Sequence, residues 1–251
     1  MKLSSRILLS MLIILVAGLL LSNIILKKEY NKIDKSDLHW NYTTVLAQHF
    51  KYLKIEGGND TKIAFEQSKN YSVRVLNDWQ RYHPQLIQTS IKNDTLFIKF
   101  VYNSSNQYEK DWMGWTTLVR IFSPEILSVD GFNTNFEMFK LKQKSIAVNM
   151  SGKSKFELES MIPDMDSINI VQKDSASVEF EMSPDYKSTA LTRSSKEIKS
   201  DEAMNINSVN ANLEGYSILD VGHAQIQNIQ LQIADSSAII LSGGALRKIV
   251  K

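Results

Sequence analysis

Phe136-Glu137-Met138, Phe156-Glu157-Leu158 and Val178-Glu179-Phe180 are three apolar–Glu–apolar triplets whose first residues lie 20 and 22 positions apart. Two apolar side chains flanking a charged one read as a strand with one buried face. The fixed interval adds a second constraint. A unit of about 20 residues cannot enclose a face of its own, so repeated units stack and share one interior. Preceding stretches repeat too: Ile146-Ala147-Val148, Ile168-Asn169-Ile170 and Leu231-Gln232-Ile233. Ile218 and Ile239 fall 40 and 61 positions after Val178, close to two and three further periods. Each unit reads strand, polar turn, strand, with apolar ladders inside and the intervening Glu directed to water. An antiparallel sandwich also yields short strands at such intervals; three matched triplets favour the stacked form.

Upstream of this repeat the strands continue. Ile63 and Phe65 alternate with Lys62, Ala64 and Glu66, and Tyr71, Val73 and Val75 alternate with Ser72 and Arg74. Asn93-Asp94 separates two apolar runs and predicts a tight hairpin. Leu96, Ile98, Phe100 and Tyr102 then share one face. Between Asn77 and Gln88 a short helix is expected, limited by Pro84. Residues 183–203, Ser- and Lys-rich and holding Pro184, break the rhythm and predict a loop inserted in the stack.

At the amino terminus, Ile7 to Leu26 is uncharged. As a helix it spans about 30 Å, enough for a hydrocarbon core. A secretory signal has a shorter apolar run and a small-residue cleavage site at its end. Here the small pair Ala17-Gly18 lies mid-run, so an uncleaved anchor is the preferred reading. Lys2 and Arg6 favour a cytoplasmic start, yet Lys27, Lys28, Lys32 and Lys35 pull the other flank the same way. The expected organisation is an anchor or signal segment over 1–26, a linker over 27–47 and a β domain over 48–251.

Charge removes one class of partner. Lys and Arg total 29 and Asp and Glu 27. Both charges before residue 27 are basic, so the remainder is balanced, unlike the basic surface that nucleic acid requires. The absence of cysteine excludes thiol catalysis, Cys-based metal centres and disulfides.

A segment near residue 50 adds a resemblance. Phe50-x4-Ile55-Glu56-Gly57-Gly58, Lys62-Ile63-Ala64-Phe65-Glu66-Gln67, Tyr71-Ser72-Val73-Arg74-Val75 and Ile91-Lys92-Asn93-Asp94-Thr95-Leu96-Phe97-Ile98 follow in an order similar to the auto-transporter adhesin head GIN domain family. Met150-Ser151-Gly152-Lys153-Ser154-Lys155-Phe156-Glu157-Leu158 resembles its repeated Ser-Gly turn and strand. The likeness spans roughly residues 48–250. It departs at Gln172-Lys173-Asp174-Ser175-Ala176-Ser177, where the glycines are lost, and around 103–116. The resemblance implies a right-handed parallel β-helix, or solenoid, behind one transmembrane helix. It also implies a bacterial envelope location with the body periplasmic or otherwise extracytoplasmic. It implies no reaction.

The chemistry-bearing residues point the same way. His39, His49, His83 and His223 show no paired spacing on a helix, and no metal or cofactor is expected. Neither a nucleophile elbow nor a phosphate-cradling loop is present; Gly57-Gly58 and Gly243-Gly244 read as turns. Glu137, Glu157 and Glu179 form a row that polysaccharide chemistry would exploit only with two carboxylates across a cleft. Lys140, Lys142, Lys155 and Lys173 are the expected neighbours that offset it, and a solvated edge is the preferred reading. Asp220 and His223 flank a Gly222 turn without a visible nucleophile.

The strongest binding signal is Tyr108, Trp112 and Trp115 among polar residues. Such rings stack on sugars or anchor protein contacts, or else cap an open end of the stack. The expected function is therefore a non-catalytic, membrane-anchored envelope protein presenting its surface to a protein or glycan. The alternatives are an accessory or sensing subunit of a membrane complex and, behind it, a polysaccharide-active enzyme.

Overall fold

The structure is a computed structural model that describes residues 3–101, 107–160, 164–182, 204–222 and 224–241. The chain divides into two compact units, Met1–Tyr42 and Thr43–Lys251. In the first, α1 runs from Leu3 to Tyr30. Its Ile7–Tyr30 stretch is long and apolar enough to cross a membrane, and none of it is buried. The helix passes residue 26 because Lys27 and Lys28 suit its last turn, where the backbone carbonyls carry partial negative charge.

The second unit is built from two large sheets. One has the order β1 (Tyr42–Leu46), β4 (Ser72–Leu76), β7 (Thr117–Ser123), β3 (Lys62–Gln67), β9 (Asn135–Leu141), β11 (Lys155–Ser160), β13 (Ser177–Met182), β15 (Ile218–Asp220) and β17 (Ala238–Ile240). The other runs β16 (Gln225–Ile233), β14 (Asn205–Leu213), β12 (Asp164–Gln172), β10 (Ser145–Ser151), β8 (Ser128–Phe132), β2 (Tyr52–Glu56), β6 (Thr95–Phe100) and β5 (Ile87–Lys92). From β8 onward, consecutive strands alternate between the sheets, and from β10 onward each pairs in parallel with the strand two before it. The unit is mostly β-sheet, and one apolar helix precedes it in the chain. The sheets are mixed, however, because β4 joins β7 and β5 joins β6 antiparallel.

Parallel, in-register pairing turns the sequence period into ladders. Ile63, Phe136, Phe156, Val178 and Leu219 follow one another across the nine-stranded sheet, each fully buried. Leu96, Leu53, Val129, Val148 and Ile170 do the same in the other sheet. The Phe136 and Phe156 rings lie 5.9 Å apart at 37°. The connections match their residues. Asn93 and Asp94 both have positive φ, 51° and 56°, as a two-residue hairpin requires. Gly215 has φ +72°, and a Cβ there would sit 2.7 Å from the backbone oxygen of Asp174 in the adjacent turn; only glycine meets both demands.

Two readings of the repeat are corrected. Leu219, not Ile218, stacks on Val178; Ile218 pairs with Ser177 and is 41% exposed. Because strand side chains alternate, a one-residue slip exchanges the two faces. Leu231 stacks on Ala211 and Ile170, so Leu231-Gln232-Ile233 lies two positions further along than its assumed match. The predicted insertion at 183–203 lies outside the described residues. Two short helices complete the unit: α2 (Asn77–Tyr82), ending before Pro84 as expected, and α3 (Gln107–Gly114), in the stretch where the family resemblance lapses.

Candidate functional site

Both helices carry aromatic residues at helical spacing. Trp79, Tyr82 and His83 stand at i, i+3 and i+4 around the end of α2, and Tyr108 and Trp112 at i and i+4 on α3. Such positions share a helix face. Trp79 is 2% exposed, anchoring α2, and Met113 at 4% anchors α3. The Trp79 and Trp112 rings are nearly parallel, 15° apart with centroids separated by 6.3 Å. His83 lies against the other indole, 4.3 Å from the Trp79 ring, and its Nε2 is 2.8 Å from Glu109 Oε1. This contact ties α2 to α3.

Between the helices is a cavity of about 490 Å³. Asp78, Trp79, Tyr82 and His83 line it from α2 and its C-cap, and Tyr108, Glu109 and Trp112 from α3. Two of the three aromatic residues singled out in sequence, Tyr108 and Trp112, are therefore brought together. Trp115 is 90% exposed and does not line the cavity. The α2 contribution was missed. The available signal was the Trp79–Tyr82–His83 spacing, but nothing local links it to Glu109.

A second concavity of about 470 Å³ lies on the eight-stranded sheet among Lys54, Glu56, Asp130, Phe132, Asn149 and Lys173. Asp130, Asn149, Glu56 and Lys173 there are engaged with neighbours. Asn149 Nδ2 donates to Asp130 Oδ1 at 2.6 Å, Lys99 Nζ is 3.3 Å from Glu56, and Lys173 Nζ is 3.5 Å from Glu214.

The glutamate row is real but differs from its expected surroundings. Glu137, Glu157, Glu179 and Asp220 stand in register on successive strands. Glu137 is only 5% exposed rather than solvated. Lys62 Nζ lies 3.5 Å from it, while Lys155 Nζ bridges Glu157 at 2.5 Å and Glu179 at 2.9 Å. Lys173 pairs elsewhere. Burial pulls the Lys155 pKa down, but its hydrogen bonds to Glu157 and Glu179 outweigh this and hold it above the ordinary lysine value. The three glutamates are bound into ion pairs, and the row lines neither concavity. Asp220 Oδ1 accepts a hydrogen bond from the Gly222 N–H at 2.9 Å, a turn-stabilising contact. His223 and Gly243-Gly244 lie outside the described residues. Among the described residues no group of three metal-ligating side chains converges.

Burial raises the Glu137 pKa from its ordinary 4.5; Lys62 opposes the shift and the like charge of Glu157 adds to it. A carboxyl raised in the folded state binds its proton more tightly there than in the unfolded chain. Its contribution to stability is therefore present below the unfolded value and lost as pH rises through the folded one. Glu137→Gln should flatten that decline in thermal melts as pH rises above the ordinary carboxylate range. A pH profile identical to the wild type would contradict it.

No family model matches the sequence, and no curated protein matches it. Among solved structures, a Parabacteroides distasonis protein described as lipid binding is 12% identical, with a TM-score of 0.44, covering 79% of this chain and 80% of its own. A Bacteroides fragilis protein described as an adhesin is 11% identical, with a TM-score of 0.41, covering 79% of this chain and 95% of its own. A second adhesin, from Parabacteroides merdae, is 14% identical with a TM-score of 0.32, covering 79% and 94% respectively. None of the three is described as an enzyme. Likeness at these scores carries no argument about function.

Proposed function

We propose that this chain is a non-catalytic, membrane-anchored protein of the bacterial envelope that presents a binding surface to a protein or glycan. Residues 7–26 hold it in the membrane. The body from residue 48 is a right-handed parallel β-helix of the kind the GIN resemblance implies, placed on the extracytoplasmic side. The contact point is the α2–α3 cleft, with Tyr108 and Trp112 as its anchors and Trp115 beside it.

One observation carries this reading. Where the chain leaves its strand pattern for two short helices, it gathers four aromatic residues around one cavity: Trp79, Tyr82, Tyr108 and Trp112. Tyr108 is 87% exposed and contributes little to a packed cap. Large rings with a buried base and an open face are the usual anchors of recognition. The three glutamates of the acid row, in contrast, are engaged by Lys62 and Lys155 and line neither concavity.

The test uses full-length protein immobilised against envelope fractions and a glycan array. Tyr108→Ala and Trp112→Ala are each expected to weaken retention about ten-fold or more, with Tyr108→Ala leaving the melting temperature unchanged. Retention unaffected by either variant, with melting lowered in Trp112→Ala, would make the rings a structural cap.

A further inference from the structure

We infer that the α2–α3 cleft recognises an alkylammonium group, best represented by the trimethylammonium of choline; this rests on reading the cleft as the contact site. Trp79 is the buried ring of the lining and Trp112, 43% exposed, stands parallel to it. Tyr82 and Tyr108, 73% and 87% exposed, complete the aromatic wall. The face of each ring carries negative potential and attracts a cation within about 6 Å of its centre.

The charges decide which ligand gains most. Among the described residues, Asp78 and Glu109 are the acidic lining residues, His83 is the one basic group there, and no Lys or Arg lines the cavity. Glu109 lies 2.8 Å from His83 Nε2, and Asp78 adds a second carboxylate to the lining. Aromatic faces and carboxylates both favour a cation. A carboxylate or phosphate placed among them would be repelled, and a neutral sugar would gain from the rings alone. A trimethylammonium is large, weakly hydrated and apolar at its surface, so it loses little on leaving water for such a lining. The cavity's volume of about 490 Å³ lies within the range of small-ligand pockets and leaves room for the group that bears the cation. The same chemistry is offered by a free quaternary amine and by a choline lipid headgroup.

The experiment titrates full-length protein, held in a polyoxyethylene detergent, while tryptophan fluorescence is followed. The probes are choline, glycerophosphocholine, the uncharged isostere 3,3-dimethylbutan-1-ol and methyl glucoside. Choline should give a saturable change, with the isostere about ten-fold weaker or worse. Tyr108→Ala should weaken choline about ten-fold without a change in melting, and Glu109→Gln about three-fold or more. Glycerophosphocholine bound more tightly than choline assigns the cation to a lipid headgroup; choline bound as tightly or more tightly assigns it to a free amine. No saturable response from folded wild-type protein would overturn the inference. Equal binding of the isostere, or tighter binding of the glucoside, would do the same. If choline fails while Tyr108→Ala still abolishes macromolecular retention, only the ammonium assignment falls. Retention indifferent to Tyr108→Ala and Trp112→Ala removes the contact site itself.

Discussion

Phe156→Ala should lower the stability of the β unit by about 3–5 kcal/mol, measured by urea unfolding. Phe156 is fully buried and sits between Phe136 and Val178 in register, with the Phe136 ring 5.9 Å away. Removing the ring takes away its transfer free energy and leaves a cavity. Strands on either side are fixed by their own ladder bonds and collapse into that space only partly. Stacked units depend on their neighbours, so the loss is felt by the units on both sides. Ile218→Ala supplies the contrast. That side chain is on the outer face, 41% exposed, and its truncation should cost less than about 0.5 kcal/mol. Equal losses at the two positions would mean that the assigned inward face is wrong.

The contrast also marks how far the fold can be read from the chain. Glu137, Glu157 and Glu179 fall in register as their spacing implies, because apolar residues on both sides of each Glu pin the face. Asn93-Asp94 forms its hairpin and α2 stops short of Pro84, since backbone restrictions there are local. Registers further along were misread. At Ile218-Leu219 both neighbours are apolar, so periodicity does not choose between them. In β14 the ladder position opposite Ile170 is Ala211, too small to stand out among Asn and Ser.

The cleft was half legible for a related reason. Tyr108 and Trp112 are conspicuous in sequence, whereas Trp79 and His83 reach them only through tertiary contact. His83 meets Glu109 across the β5–β6 hairpin and the start of α3, a pairing that no local pattern encodes. The burial of Glu137 was hidden likewise: Lys62 comes from a distant strand, brought beside it because β3 and β9 are neighbours.

All of this depends on each circuit of the chain laying a strand parallel to, and in register with, the strand two elements earlier. Engineered cysteines test that most directly, since the protein has none of its own. Ser145 and Ser167 are register partners on β10 and β12, with the Ser167 hydroxyl 3.0 Å from that of Ser145. Neighbouring strands run about 4.8 Å apart, within the span a disulfide bridges. Mild oxidation of the Ser145→Cys, Ser167→Cys protein is therefore expected to give a near-complete intramolecular disulfide, adding about 3 kcal/mol by closing the intervening loop. A control pair, Asn149→Cys with Ser167→Cys, is out of register, because Asn149 faces Val171. Rapid cross-linking of the first pair and none of the second is the predicted result; a control pair that oxidises as fast or faster would contradict the stacked register.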